Sequence, residues 1–177
     1  VQGNWGELVL EGLHEDAGLV KDVHFITQES LLNEEGKRQL PDVIINLPDN
    51  KQIIVDSKVS LTAFERHCAA ETEIERDAHA KAFVESVKSH IKGLGEKSYQ
   101  DNKNVNALDF VIMFMPIEGT YQLVSNYGSE IFRYAWNYKV ALTSPSTLFP
   151  ILKAVHSVWK IDTQNKNTLE IIRTASS

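Results

Sequence analysis

Apolar positions along the chain recur with two different periods, and the switching between them outlines a set of helices and strands. Trp5, Leu8, Val9 and Leu13 recur at i, i+3, i+4 and i+8, the spacing that lines one side of a helix. They predict a helix from about Asn4 to Asp16, with Gly18 as its left-handed terminator. VHFITQ, Val23 to Gln28, alternates and predicts a strand of about six residues. ESLLNEEGKRQL is a polar connection that turns at Gly36. PDVIINLPDNKQIIVDSKVS, Pro41 to Ser60, then reads as two short apolar strands reversed at Pro48-Asp49-Asn50.

From Leu61 to Leu94 the period is helical, with a break in the acidic stretch Glu71 to Asp77, where Thr72 and Glu75 supply a capping box that restarts the helix. Phe83, Val87, Ile91 and Leu94 mark its buried stripe, and Gly93 and Gly95 are expected to weaken and end it. After a polar loop, Tyr99 to Asn106, LDFVIMFMP is almost unbroken in its apolarity. A strand covered on both faces reads that way, which places this one centrally in a sheet. A helical region from about Thr120 to Asn137, interrupted near Gly128, precedes a further strand in KVALTS. Ser144 and Pro145 suit the N-cap and first position of a last helix, expected to reach about Lys160, with the tail after Asp162 unassigned. The order predicts one α/β domain over residues 1–177: a mixed β-sheet flanked by helices, with an antiparallel hairpin early and crossovers later.

Composition agrees with a folded, globular chain. It is 42% hydrophobic and 24% charged over 177 residues, enough to bury a sizeable core. No apolar run approaches the roughly 20 residues that span a bilayer, and no signal-peptide pattern opens the chain. Val1 begins it without a methionine, so a domain cut from a longer protein is expected, with any tethering segment outside it. The single cysteine, Cys68, rules out an internal disulfide and suits a reducing, cytoplasmic setting; its helical position suggests a buried or half-buried filler. The net charge of −6 argues against tight, autonomous, non-specific binding to a polyanion, although Lys81, Lys88, Lys92 and Lys97 form a local basic tract.

The chemistry sits at the ends of the hairpin, where Asp42 opens the first strand and Asp56 and Lys58 close the second. Side chains alternate across a strand, so Asp56 and Lys58 share a face. Asp42 joins them only if Pro48 to Asn50 form a three-residue loop that sets Asp42 opposite Asp56, because a one-residue slip inverts every side chain. In that register two carboxylates lie about 5 Å apart at their Cβ atoms. They repel each other unless one is protonated or a hard dication such as Mg²⁺ binds between them. A lysine beside such a cation can orient or deprotonate an attacking water and stabilise a phosphorane, which makes a phosphodiester-hydrolysing site. A salt bridge between Lys58 and the two acids is the alternative that requires no function. His14, His24, His67, His79 and His156 have no zinc-site spacing, no glycine loop cradles phosphate, and Ser57 lacks a His-Asp arrangement.

The PD…DSK pattern in a strand–turn–strand resembles the signature of the PD-(D/E)xK nuclease superfamily, with its restriction-endonuclease-like αβββαβ core. Over nearly the whole chain, GNWGE, QLPDVIINLPDNKQIIVDSKVSL, SHIKGLGEKSY, FVIMFMPIEG and TSPSTL resemble, in order, the RmuC family of DNA recombination proteins. The resemblance implies a bacterial, metal-dependent DNA nuclease domain, with Mg²⁺ or Mn²⁺ as cofactor, DNA as partner, and a role in DNA recombination or rearrangement. It also implies an upstream coiled coil and a hydrophobic anchor that would tether the full-length protein to a membrane. This domain itself would make no membrane contact, and homo-oligomerisation would run through segments outside this sequence. Carried over, Asp42 and Asp56 are metal ligands, Lys58 the catalytic lysine, and Glu7 of NWGE a third acidic ligand. Gln28, His90, Lys97 and Glu118 are candidate phosphate or substrate contacts. The alternative is a nuclease-fold module that cuts little and instead binds DNA structures or scaffolds partners.

Overall fold

The computed structural model describes residues 2–27, 41–57, 61–97 and 106–176. Helix α1 (Gln2–Asp16) ends as read, with Gly18 at φ 93° and the Leu19 N–H returning to the His14 carbonyl at 3.0 Å. Strand β1 (Phe25–Thr27) is shorter than the alternation of VHFITQ suggests. The Val23 and His24 N–H groups both donate to the Val20 carbonyl, and Asp22 has φ 63°. A tight turn thus consumes the first two residues of that run and leaves Val23 exposed.

Strands β2 (Val43–Asn46) and β3 (Gln52–Ser57) form the antiparallel hairpin. Val43 faces Val55, Asn46 faces Gln52, and the Leu47 N–H reaches the Lys51 carbonyl at 2.8 Å. Three residues suffice for the reversal because Asp49 and Asn50 adopt φ of 64° and 59°, a region these two side chains tolerate better than most. Helix α2 (Thr62–Ala69) follows. Helix α3 (Glu73–Glu96) restarts at the expected cap, where Thr72 Oγ1 accepts the Glu75 N–H at 3.2 Å. Then come β4 (Ala107–Phe114), α4 (Glu118–Tyr127), α5 (Ile131–Asn137), β5 (Val140–Thr143) and α6 (Pro145–Ala175).

The sheet order is β1-β2-β3-β4-β5. The first two contacts are antiparallel, and β3-β4 and β4-β5 are parallel. Each face carries its own core. Ile54, Val111 and Met113 pack with Phe83, Val87 and Ile91 of α3, while Val55, Ile112 and Phe114 pack with Leu10 of α1 and Leu148 and Leu152 of α6. Central β4 is buried on both faces over its C-terminal half, which explains its unbroken apolar run.

Three expectations are corrected. Cys68 is exposed, because α2 has no buried residue and reaches the core through the partly buried Ala63 and Phe64. Helix α6 continues from Lys160 to Ala175. Gly95 does not end α3; a Cβ there would lie 2.8 Å from Tyr138 Cβ and 3.0 Å from its carbonyl oxygen. The glycine permits close approach of α3 to the residue that follows α5. Gly95→Ala is therefore expected to destabilise the fold by about 1–3 kcal/mol in urea unfolding. Gly93→Ala, with nothing within 4 Å of the new Cβ, is expected to stabilise the helix by about 0.5–1 kcal/mol.

Candidate active site

The hairpin register decides the site. Val43 opposite Val55, continued by one residue, sets Asp42 opposite Asp56, as the three-residue loop demands. The Ser57 N–H donates to Asp42 Oδ2 at 2.6 Å and ties the residue before β2 to the end of β3. Asp56 is only 5% exposed and lies opposite Met113 of β4. The carboxylate pair thus occupies the end of the sheet at which the parallel strands finish.

Helix α1 brings its first turns to the same end. A Cβ on Gly6 would lie 3.1 Å from Ser57 Oγ and 3.1 Å from Pro116 Cγ, so the bare glycine lets the helix backbone rest on the strand ends. Glu7 follows directly and acts electrostatically on Asp42. Burial pushes the Asp42 carboxyl up to about 7, opposed by the Ser57 hydrogen bond and reinforced by the charges of Asp56 and Glu7 and by a hydrogen bond to Asp56. The Asp42 carboxyl therefore keeps its proton up to about neutral pH.

Two close carboxylates fit a hard dication, since Mg²⁺ takes one or two protein carboxylates and completes its octahedron with water and substrate phosphate. Among the described residues no group of three His, Cys, Asp or Glu side chains could hold a metal ion. Asp42 and Asp56 are the pair that could hold such a cation, and Glu7 acts on Asp42 through its charge. His14, in the last turn of α1, is fully buried and its ring packs on Phe25. Desolvation lowers its pKa against the Leu10 carbonyl bond and the Glu11 charge.

Lys58 and Gln28 lie outside the described residues. His90 sits in the last third of α3, and Lys97 follows its final turn. Gly95 abuts Tyr138, just before β5 begins, which puts this end of α3 at the edge where the parallel strands start, away from Asp56. His90 and Lys97, read from sequence as candidate phosphate or substrate contacts, thus belong to the part of α3 that runs toward that edge. Glu118 lies at the acids' end of the sheet, but its carboxylate is engaged. Oε1 accepts from Ser144 Oγ at 2.9 Å and Ser146 Oγ at 2.6 Å, and Oε2 accepts from the Ser146 N–H at 3.1 Å. Burial opposes ionisation, yet these bonds hold the Glu118 carboxyl below the usual range. Glu118 anchors the first turn of α6, where an anion is favoured. Glu118→Ala is expected to lower stability by about 1–2 kcal/mol by thermal unfolding while leaving divalent-cation affinity unchanged. The sequence reading missed two contributors, the Ser57 N–H and the bare face of Gly6. The glycine inside NWGE was the available signal.

The RmuC family model matches residues 1–177. The chain belongs to the RmuC family. It is similar to the DNA recombination protein RmuC homolog of Pseudomonas aeruginosa, with 43% identity over 99% of this chain and 39% of that protein. It is also similar to the RmuC homolog of Vibrio cholerae, 41% identical over 99% of this chain and 34% of that protein. The DNA recombination protein RmuC of Escherichia coli K12 is 36% identical over 99% of this chain and 37% of its own length. The chain thus spans little more than a third of these RmuC relatives. No solved structure matches it. No helix among the described residues is long and apolar enough to cross a membrane.

Proposed function

We propose that this RmuC domain is a metal-dependent deoxyribonuclease of the PD-(D/E)xK type, acting in DNA recombination or rearrangement as the names of its relatives suggest. The observation that carries the reading is the opposition of Asp42 and Asp56 across the hairpin, with the Asp42 carboxyl raised to about 7. An acid so raised exchanges its proton for a cation readily near neutral pH. The order helix, three strands, helix, strand supports a restriction-endonuclease-like core.

In this reading Asp42 and Asp56 bind Mg²⁺ or Mn²⁺, and the Ser57 N–H fixes the orientation of Asp42. Glu7 adds negative potential that attracts the cation. When bound, the cation supplies Lewis-acid polarisation of the phosphate and a water of lowered pKa. Lys58, two positions after Asp56, orients that water and offsets charge on the phosphorus oxygens. The buried Asp56 keeps bulk water from competing at the strand end.

A non-cutting module that binds DNA structures or scaffolds partners is the second reading, favoured by the net charge of −6. Calorimetric titration with Mn²⁺ separates the two. Micromolar-order binding that disappears in Asp42→Asn supports the nuclease, whereas absence of binding to the wild-type chain supports the module.

A further inference from the structure

The outward side of α6 carries a repeat that the sheet does not use. Its inner side is spent on the core through Leu148, Leu152 and Val155, and the Trp159 indole N–H donates to the Asn46 carbonyl at 2.8 Å. Beyond Trp159, residues 160–175 are exposed apart from a half-buried Asp162, a projection of about 24 Å. A helical segment this short is marginal in water without a packing partner.

Ile151, Val158, Asn165 and Ile172 stand seven residues apart. The three apolar members are 37%, 46% and 56% exposed, and Ile161, between them on the same side, is 56% exposed. Ala154 and Thr168 continue that second row. Lys160, Lys166, Glu170 and Arg173 project from the opposite side of the helix, as their spacing from the seam requires. The result is a heptad seam that starts on the domain surface and runs to the end of the projecting segment.

We propose that this seam pairs with the same seam of a second copy of the chain, parallel and in register, as a short two-stranded coiled coil. β-branched residues at the first heptad position favour two strands, and a lone asparagine there fixes register by pairing with its own counterpart. Ile151, Val158 and Ile172 are the β-branched set, and Asn165 is the lone amide. In this register Asp162 meets Ser157 of the other copy and Gln164 meets Leu169, so no like charges face each other. A bilayer surface suits the helix less well. Asn165 and Thr168 lie in the middle of the apolar side, where lipid offers no hydrogen-bond partner.

Sedimentation equilibrium on the full 177-residue chain tests the pairing. The expected mass is twice the 20.0 kDa of one chain at high micromolar concentration, falling on dilution. Ile161→Glu is expected to weaken association at least about tenfold with an unchanged near-UV spectrum. In a Cys68→Ser background, Ile172→Cys should cross-link identical positions under mild oxidation, which only the parallel arrangement allows. A single-chain mass at every concentration overturns the proposal. So does a dimer indifferent to Ile161→Glu, a dimer without the cross-link, or a monomer that binds phosphatidylglycerol vesicles through Ile161.

Discussion

Asp56→Ala is expected to lower the proposed Mg²⁺-dependent cleavage of DNA at least about a hundredfold while the far-UV spectrum stays that of the wild type. Asp56 is nearly fully buried at the end of β3 and opposes Asp42. Its loss leaves one carboxylate at the strand end, too few donors for a cation that must also hold substrate phosphate. The same substitution removes a negative neighbour from Asp42, so the remaining carboxyl ionises more easily. The fold loses the hydrogen bond between the two carboxyls together with their mutual repulsion. Lys58→Ala is expected to lower cleavage comparably without weakening Mn²⁺ binding, because the lysine acts on water and phosphate rather than as a ligand. Cleavage by wild type and Asp56→Ala at equal rates would refute the assignment.

Asp42→Asn is expected to make the metal-free protein more stable at pH 8 and to remove the stabilisation by Mg²⁺ that the proposed site would give. The native Asp42 carboxyl ionises near 7, against an unfolded value of 3.8. Below 3.8 both states keep the proton and the fold is at full strength. Between 3.8 and about 7 the unfolded chain releases it first, so stability falls as pH rises through that window and stays low above it. Allowing for solvent screening of a partly exposed group, the loss is about 2 kcal/mol, or roughly 4–8 °C in Tm for a chain of this size. An asparagine keeps the hydrogen bond from the Ser57 N–H and carries no charge, so it recovers that loss and flattens the pH profile. Melting curves from pH 5 to 8, with chelator and with Mg²⁺, measure both effects. A wild-type Tm that rises with pH under chelator would show that the two acids do not share a proton.

The hairpin and its acids were legible because strand periodicity is strict. With Pro48 to Asn50 as a three-residue loop, the alternation leaves Asp42 no face but that of Asp56, and Asp49 and Asn50 are residues that accept positive φ. Central β4 was legible for a related reason, since only a strand covered on both sides remains apolar at consecutive positions. The Thr72 and Ser144 caps were visible as local chemistry, a hydroxyl three residues before the N–H it accepts.

Features set by contacts distant in sequence were not legible. Gly95 looked like a helix stop, yet Tyr138, far along the chain, makes it a site of close approach. Glu118 reads from sequence as a candidate substrate contact, and the serines that engage it belong to the start of another helix. Cys68 resembled core filling because helical periodicity gives no sign of how little of α2 is covered.

From its own residues, then, the chain determined the element order, the hairpin register and the face on which its two aspartates meet, all consequences of local sterics and periodicity. Only the tertiary structure decided that Gly6 seats α1 against the strand ends, that the Glu7 charge acts on Asp42, and that α6 leaves an apolar seam outside. Those outcomes depend on which surfaces pack together, and packing is a property of residues that are neighbours in space without being neighbours in sequence.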